Sequence, residues 1–286
     1  PTLAPTATPR IYMPVGSFAE GKLAAGSDYS LVLLDDGTVK CYGGKASGVY
    51  DDVQDWKDIV WISGYDNHAV GIRKNGTLAT AGTDEDGELD VLDLSTLMLT
   101  VTLLLIALTA DGSVYFRGNP KHDRDNCQQW THVKKLLGGD DHLAVVFNDG
   151  TMAAVGYNGF YECDVDGVNG AIGGAVASGT TYVLNSDHTV TPYGEDWCDE
   201  DDVRGWSDII YVDGGDRHTV GLTSRGTVEA TGDNAKNQLD AKYWKDMVAI
   251  CAGQFHTIGI DTYGIIHIAG LDGADYCAGD GDSIWQ

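Results

Sequence analysis

Basic residues are what this chain most lacks: 18 Lys and Arg stand against 43 Asp and Glu, a formal net charge of -25. Nucleic acids and anionic membranes draw most of their binding energy from Lys and Arg that neutralise phosphates, so neither is expected as a partner. Long apolar runs are missing too. The longest, Leu97 to Leu108 (LMLTVTLLLIAL), is 12 residues, where a membrane span needs ~20, so the run is expected in a core or interface and no membrane insertion follows from it. Six Cys include no CxxC pair, which argues against a zinc ribbon and a thioredoxin-like site. No GxSxG, HExxH or P-loop occurs, so an enzyme would have to assemble its site from distant segments, and no cofactor is called for. Proline is scarce as well, six residues against 38 Gly, with 14 Tyr and 7 Trp. That balance suits many short strands joined by tight turns. The opening PTLAPTATPR, residues 1–10, reads as a linker and suggests export, with residues 11–286 as a single domain.

What the chain does have is a repeat. The turns Asp36-Gly37, Asn75-Gly76, Asp111-Gly112, Asp149-Gly150, Asp187-His188, Arg225-Gly226 and Tyr263-Gly264 are spaced by 39, 36, 38, 38, 38 and 38 residues. Six positions after each turn stands Gly43, Gly82, Gly118, Gly156, Gly194, Gly232 or Gly270. Eight positions before it stand Tyr29, His68, Leu104, His142, Thr180, His218 and His256. Trp56, Trp130, Trp206 and Trp244 share a further slot, which Phe18 fills in the first copy. Each unit of about 38 residues reads as four short strands, seen in the sixth copy as DIIYVDG, HTVGLTSRG, GTVEATG and QLDA. Such units bury both faces by packing radially around an axis. The expectation is an all-β, seven-bladed β-propeller of four-stranded blades. The third copy, which lacks both the Gly and the His before its turn, and the fifth, with Pro192 in a strand and His188 in the turn, are expected to be irregular. Ring closure has two candidates, a strand at Ile11–Val15 or the segment around Cys277.

At WSDIIYVDGGDRHTVGLTSRGTVEATGDNAKNQLD the unit resembles a bacterial repeat of the regulator of chromosome condensation (RCC1) type, and YNGFYECDV resembles the end of the same unit. The likeness covers nearly the whole chain. The unit is shorter than the eukaryotic repeat and closer in length to that of the secreted beta-lactamase inhibitory protein II, which is also a propeller. The resemblance implies a propeller that binds proteins, inhibition of a secreted enzyme being one form. The guanine-exchange role of the founding family needs a projecting loop, and the even spacing leaves no insertion for one.

The histidines in the shared slot invite a metal or anion ring, but Tyr29, Leu104 and Thr180 occupy the same slot, which favours packing and a bond to a neighbouring loop, with no metal. The Trp slot reads as a wedge between blades. Cys163 and Cys277 align with Leu89 and Leu239 and read as small buried hydrophobes; Cys198 alone reads as exposed. Acidic strings at Thr83–Asp90 and Asp272–Asp282 lack the twelve-residue calcium-loop spacing.

In an antiparallel blade the first-to-second and third-to-fourth loops share one face, and on that face every copy carries different residues. Tyr65, Tyr157, Phe160, Tyr161, Trp197 and Phe255 stand there among Asp66, Asp84, Asp86, Asp141, Asp196 and Asp216. Aromatic anchors ringed by charge have the makeup of a protein interface. The reading is a non-catalytic, monomeric propeller, secreted or on a bacterial cell surface, that binds one protein with a basic patch. The alternatives are a glycan-binding propeller and, less favoured, an enzyme with a site built across blades.

Overall fold

The computed structural model describes residues 21–83, 96–101, 105–109, 112–117, 127, 129–139, 141–177, 179–194 and 203–270. These form seven antiparallel sheets of three strands each. Sheet 1 runs over residues 23–43, sheet 2 over 59–82, sheet 3 over 96–117, sheet 4 over 133–156, sheet 5 over 171–194, sheet 6 over 209–232 and sheet 7 over 247–270. In every sheet the strands lie in chain order, so the second is central and the third is an outer edge. The first strands, Leu23–Ala25, Ile59–Tyr65, Thr96–Val101, Val133–Gly138, Ala171–Ala177, Ile209–Gly214 and Met247–Ala252, touch one another in sequence, and the last touches the first. The contacts close into a ring. No helix among the described residues is long and apolar enough to cross a membrane.

The repeated positions are the ones that join sheet to sheet. The glycine of each turn between the second and third strands takes a positive φ, +81° at Gly37 and +74° at Gly226, and frees its carbonyl for the next sheet. Gly37 O accepts from Ile59 N–H at 2.9 Å, Gly150 O from Ala171 N–H at 3.0 Å and Gly226 O from Met247 N–H at 2.9 Å. His188 takes the same conformation, φ +65°, and its carbonyl accepts from Ile209 N–H at 3.0 Å. The slot before the turn and the glycine after it are cross-strand partners, as in His68 with Gly82 and His218 with Gly232. At Gly232, φ is +109° and a Cβ would collide with the carbonyl of Arg217, so no other residue fits without strain.

The slot histidines are buried, and three of them, His142, His218 and His256, bond hydroxyls of the following sheet. His142 Nε2 lies 2.8 Å from Thr181 Oγ1, His218 Nε2 3.0 Å from Thr257 Oγ1, and His256 Nε2 2.7 Å from Ser30 Oγ, the last pair linking sheet 7 to sheet 1. Thr257 donates its one hydroxyl proton to Gln238 O at 3.1 Å, and Thr181 donates to Glu162 O at 2.8 Å. Each Thr therefore accepts from its histidine, which fixes the Nε2–H tautomer of His142 and His218. In sheet 1 the slot holds Tyr29, whose hydroxyl donates to His68 O. Ring closure is further held by Gln254 N–H donating to Gly26 O at 3.2 Å and by Leu23, Ala25 and Val32 packed on Val248, Ala249, Ile258 and Ile260. The two segments considered for closure, Ile11–Val15 and the stretch around Cys277, lie outside the described residues.

Trp56 and Trp206 are buried between sheets, Trp56 among side chains of sheets 1 and 2 and Trp206 among those of sheets 5 and 6. Their rings lie against Gly71 and Gly221 in the central strands, where a Cβ would overlap the indole.

Two expectations are corrected. Among the described residues the sheets have three strands, and in copies one, four and six the stretch read as a fourth strand turns instead. QLDA lies in a 3-10 helix, Gln238–Tyr243, and the matching part of copy one is a short helix, Val49–Asp52, followed by a 3-10 turn, Val53–Asp55. The reason is local. Asn234 Oδ1 accepts from Leu239 N–H and Asp233 Oδ1 from Ala235 N–H, bonds that satisfy the backbone within the turn and leave no ladder to extend. Sheet 5 is also complete: Pro192 pairs with Tyr182 in the outer strand Val190–Gly194, at an edge where proline's missing N–H costs little. The third copy likewise forms a full sheet, and the apolar run supplies strands Thr96–Val101 and Leu105–Thr109, with Ile106, Ala107 and Leu108 buried.

Candidate functional site

Three-stranded antiparallel sheets put the first-to-second loops and the segments after the third strands at one end of the ring. Hydrogen bonds fasten these two sets together. Tyr157 N–H donates to Asp141 O at 2.8 Å, Asp233 N–H to Arg217 O at 2.8 Å and Thr83 N–H to Asn67 O at 3.1 Å. Neighbouring loops are tied as well, since Asp66 O accepts both Ser27 N–H at 2.9 Å and Ser27 Oγ at 3.1 Å.

Sheet 4 carries the aromatic part of this face. Tyr157 and Phe160 pack with ring centroids 5.5 Å apart at 59°. Tyr161, 71% exposed, stands beyond them with φ +69°, a left-handed conformation that a bulky side chain rarely adopts. Two side chains hold the loop in that shape: Asn158 Oδ1 accepts Cys163 N–H at 2.9 Å, and the buried Glu162 accepts Phe160 N–H through Oε2 at 2.7 Å. Asp141 is exposed beside Tyr157. Tyr65 and Asp66 sit at the turn of sheet 2, Asp216 at that of sheet 6 and Phe255 at that of sheet 7, all partly exposed. The structure thus gathers Asp141, Tyr157, Phe160 and Tyr161 into one cluster and spreads Tyr65, Asp66, Asp216 and Phe255 around the rest of the same face. Asp84, Asp86, Asp196 and Trp197 lie outside the described residues, as does Cys198.

Cys163 is half-buried rather than enclosed. Its thiol donates to Tyr157 O at 3.3 Å, and burial with the nearby Glu162 and Asp164 charges pushes its pKa up to about 12, which favours the protonated thiol. Among the described residues no group of His, Cys, Asp and Glu is placed to hold a metal ion.

A cavity along the ring axis opens among these loops, a feature that sequence reading missed. It is walled by the first strands of sheets 1, 2, 4, 5, 6 and 7, from Tyr65, Asp66, Asp216 and Gln254 at the loop level down to Trp61, Lys135 and Tyr211. Between those levels lies Asp213, where other copies hold Ala24, Ser63, Leu137, Ala175 and Cys251. Asp213 Oδ2 accepts Ala252 N–H of sheet 7 at 2.9 Å and Oδ1 accepts Gly214 N–H at 3.1 Å. Burial raises its pKa to about 6 against the pull of these bonds and of Cys251. Burial also raises Asp216, partly opposed by Arg217. The signal was present as one charged residue in a column of small or apolar ones.

No family model matches the sequence, and no curated protein sequence matches it. Solved structures do. The ectodomain described as CRINKLY WD40 from the Arabidopsis thaliana receptor kinase ACR4 is similar at 14% identity and TM-score 0.71, over 87% of this chain and 94% of that one. Human WBSCR16 is similar at 14% identity and TM-score 0.66, over 90% and 88%. Yeast RCC1 (Prp20), solved bound to Kap60, matches at 16% identity and TM-score 0.48, over 91% and 72%. With the closed ring of antiparallel sheets, the first two likenesses show that this chain has the β-propeller fold.

Proposed function

We propose that this chain is a seven-bladed propeller of the RCC1 type that binds a folded protein, without catalysis, through its divergent loop face. One observation carries the reading. Residues 157–165 and 233–241 follow the same local path, with Asn158 and Asn234 bonding the backbone five residues on and Tyr161 and Asn237 both left-handed. Yet one copy displays Tyr157, Phe160 and Tyr161 where the other displays Asp233, Lys236 and Asn237. A frame kept constant while its exposed residues change suits recognition of one asymmetric partner. A glycan-binding propeller would repeat its pocket. An interface of standard size covers about 800 Å² per partner, within reach of one propeller face. The net charge of -25 favours a partner with a basic patch and speeds its capture at low salt. The protein acts as a monomer, secreted or displayed on a bacterial surface.

The test is capture of proteins from extracellular fractions by the wild type and by a Tyr157→Ala, Tyr161→Ala variant, with partners identified by mass spectrometry. The face variant loses the specific partner, whereas Arg225→Ala at the opposite end keeps it. Equal capture by both variants would place the interface elsewhere, and binding of glycans with no protein captured would favour the lectin reading.

A further inference from the structure

The axial cavity is polar in a particular way. Its walls are mostly glycine and small apolar residues, but at the level of Asp213 a carboxylate faces the space, with Tyr65 and Asp66 above it on one side and Asp216 on the other. Each Asp213 oxygen takes one backbone N–H and the Cys251 thiol also bonds the carboxylate, three donors where a carboxylate has lone pairs for about four, so acceptor capacity remains toward the cavity. The lining cation is Lys135, two residues further from the loop face than the level of Asp213; the residue of sheet 6 that matches Lys135 is Tyr211. Low-dielectric walls focus the field of such charges along the axis.

We propose that this cavity takes one cationic side chain, a lysine or arginine at the tip of a partner loop, seated on the Asp213 carboxylate. The inference rests on the protein-binding reading and deepens it by naming what enters the centre of the face. A charge-assisted bond to a partly buried carboxylate is stronger than one at the rim, and Tyr65 and Tyr211 line the same space. Desolvation of Asp213 is offset when a positive charge arrives, which gives the cation a preference for the ionised form. The groups that share the cavity and could compete are Cys251, Lys135, Asp66, Asp216, Tyr65 and Tyr211. The Cys251 thiol, pushed well up by burial and by Asp213, stays protonated and adds no charge.

The experiment titrates butylammonium and methylguanidinium chloride into the protein at constant ionic strength and follows the amide resonances of Gly214 and Ala252, the two N–H groups bound to Asp213. Saturable shifts are expected at pH 7.5, with affinity about tenfold lower at pH 5 because Asp213 is then mostly protonated. Asp213→Asn, which still accepts the Ala252 N–H, loses at least tenfold in affinity and the pH dependence with it. A second readout needs only the wild type: the cations lower the pH at which the Ala252 amide titrates. Absent shifts, equal shifts in Asp213→Asn, or an unmoved titration would overturn the proposal. Because small cations replace the partner, such a failure leaves protein capture by the loop face standing, and failed capture leaves the cavity result standing.

Discussion

Residues 157–165 and 233–241 differ in what they show and agree in how they are held. In both, an Asn side chain caps the turn and a left-handed residue follows, and the carbonyl of Glu162 or Gln238 accepts the hydroxyl of a Thr that in turn bonds a histidine of the previous sheet. The buried chain from His142 through Thr181 to Glu162 O has its counterpart in His218, Thr257 and Gln238 O. Above it, one copy exposes aromatics and the other polar residues. Repeated positions carry the load of joining sheets, and unrepeated positions are free to meet a partner. Frame substitutions should then cost stability, and display substitutions should cost binding.

The largest frame effect belongs to the buried indoles. Trp206→Ala should destabilise by about 3 to 5 kcal/mol in urea unfolding, as a large core truncation. Trp244→Ala should cost less, since Trp244 is only partly buried. Equal and negligible losses would break the wedge assignment.

Acid should act on the same frame. Burial depresses both His218 and His256 to about 4, so they favour the folded state above their unfolded pKa of ~6.5 and lose that stabilisation as pH falls toward 4. Each shift corresponds to about 3 kcal/mol. Asp213 works in the opposite sense: raised to about 6, it favours folding below its unfolded pKa and loses that contribution as pH rises through 6. Its shift offsets at most about one histidine. The net expectation is a loss of about 3 kcal/mol between pH 6.5 and 4, and His218→Gln should flatten the profile. Stability constant across that range would contradict the buried neutral histidines.

Asn158→Ala and Asn234→Ala each remove one side-chain bond to the backbone, and Asn158→Ala also an exposed bond from Nδ2–H to Asp164 Oδ1, which adds little in solvent, so each should cost about 1 kcal/mol. Clearly unequal losses would show that the two segments are not the same frame. The smallest effect on stability is a gain. Tyr161→Asn, the residue its counterpart Asn237 already has, should relieve the left-handed backbone by up to about 1 kcal/mol while weakening partner binding by about 2 kcal/mol.

The sheet number and the joints were legible because they repeat. Glycine recurs at seven equivalent positions, and at Gly82, Gly156, Gly194, Gly232 and Gly270 it marks a backbone approach that excludes a Cβ, while the slot opposite marks the joint with the next sheet. The fourth segment was misread because QLDA has strand-like alternation, while its conformation is set by Asn234 and Asp233 just upstream. Pro192 looked disruptive since sequence alone does not tell an edge strand from a central one. Of the site, the cluster around Tyr157 could be read from loop divergence. The cavity was missed, since Asp213 sits inside an apolar strand; alignment of the copies marks it as the one charged residue of its column, but only the structure shows that the column faces the axis.

Binding through the displayed residues is the central claim, and paired affinity and melting measurements on Tyr161→Asn against the captured partner test it most directly. The account predicts weaker binding with an unchanged or slightly higher melting temperature. Undiminished affinity in the variant, with the melting temperature lowered instead, would make Tyr161 part of the frame and contradict the division on which the proposal stands.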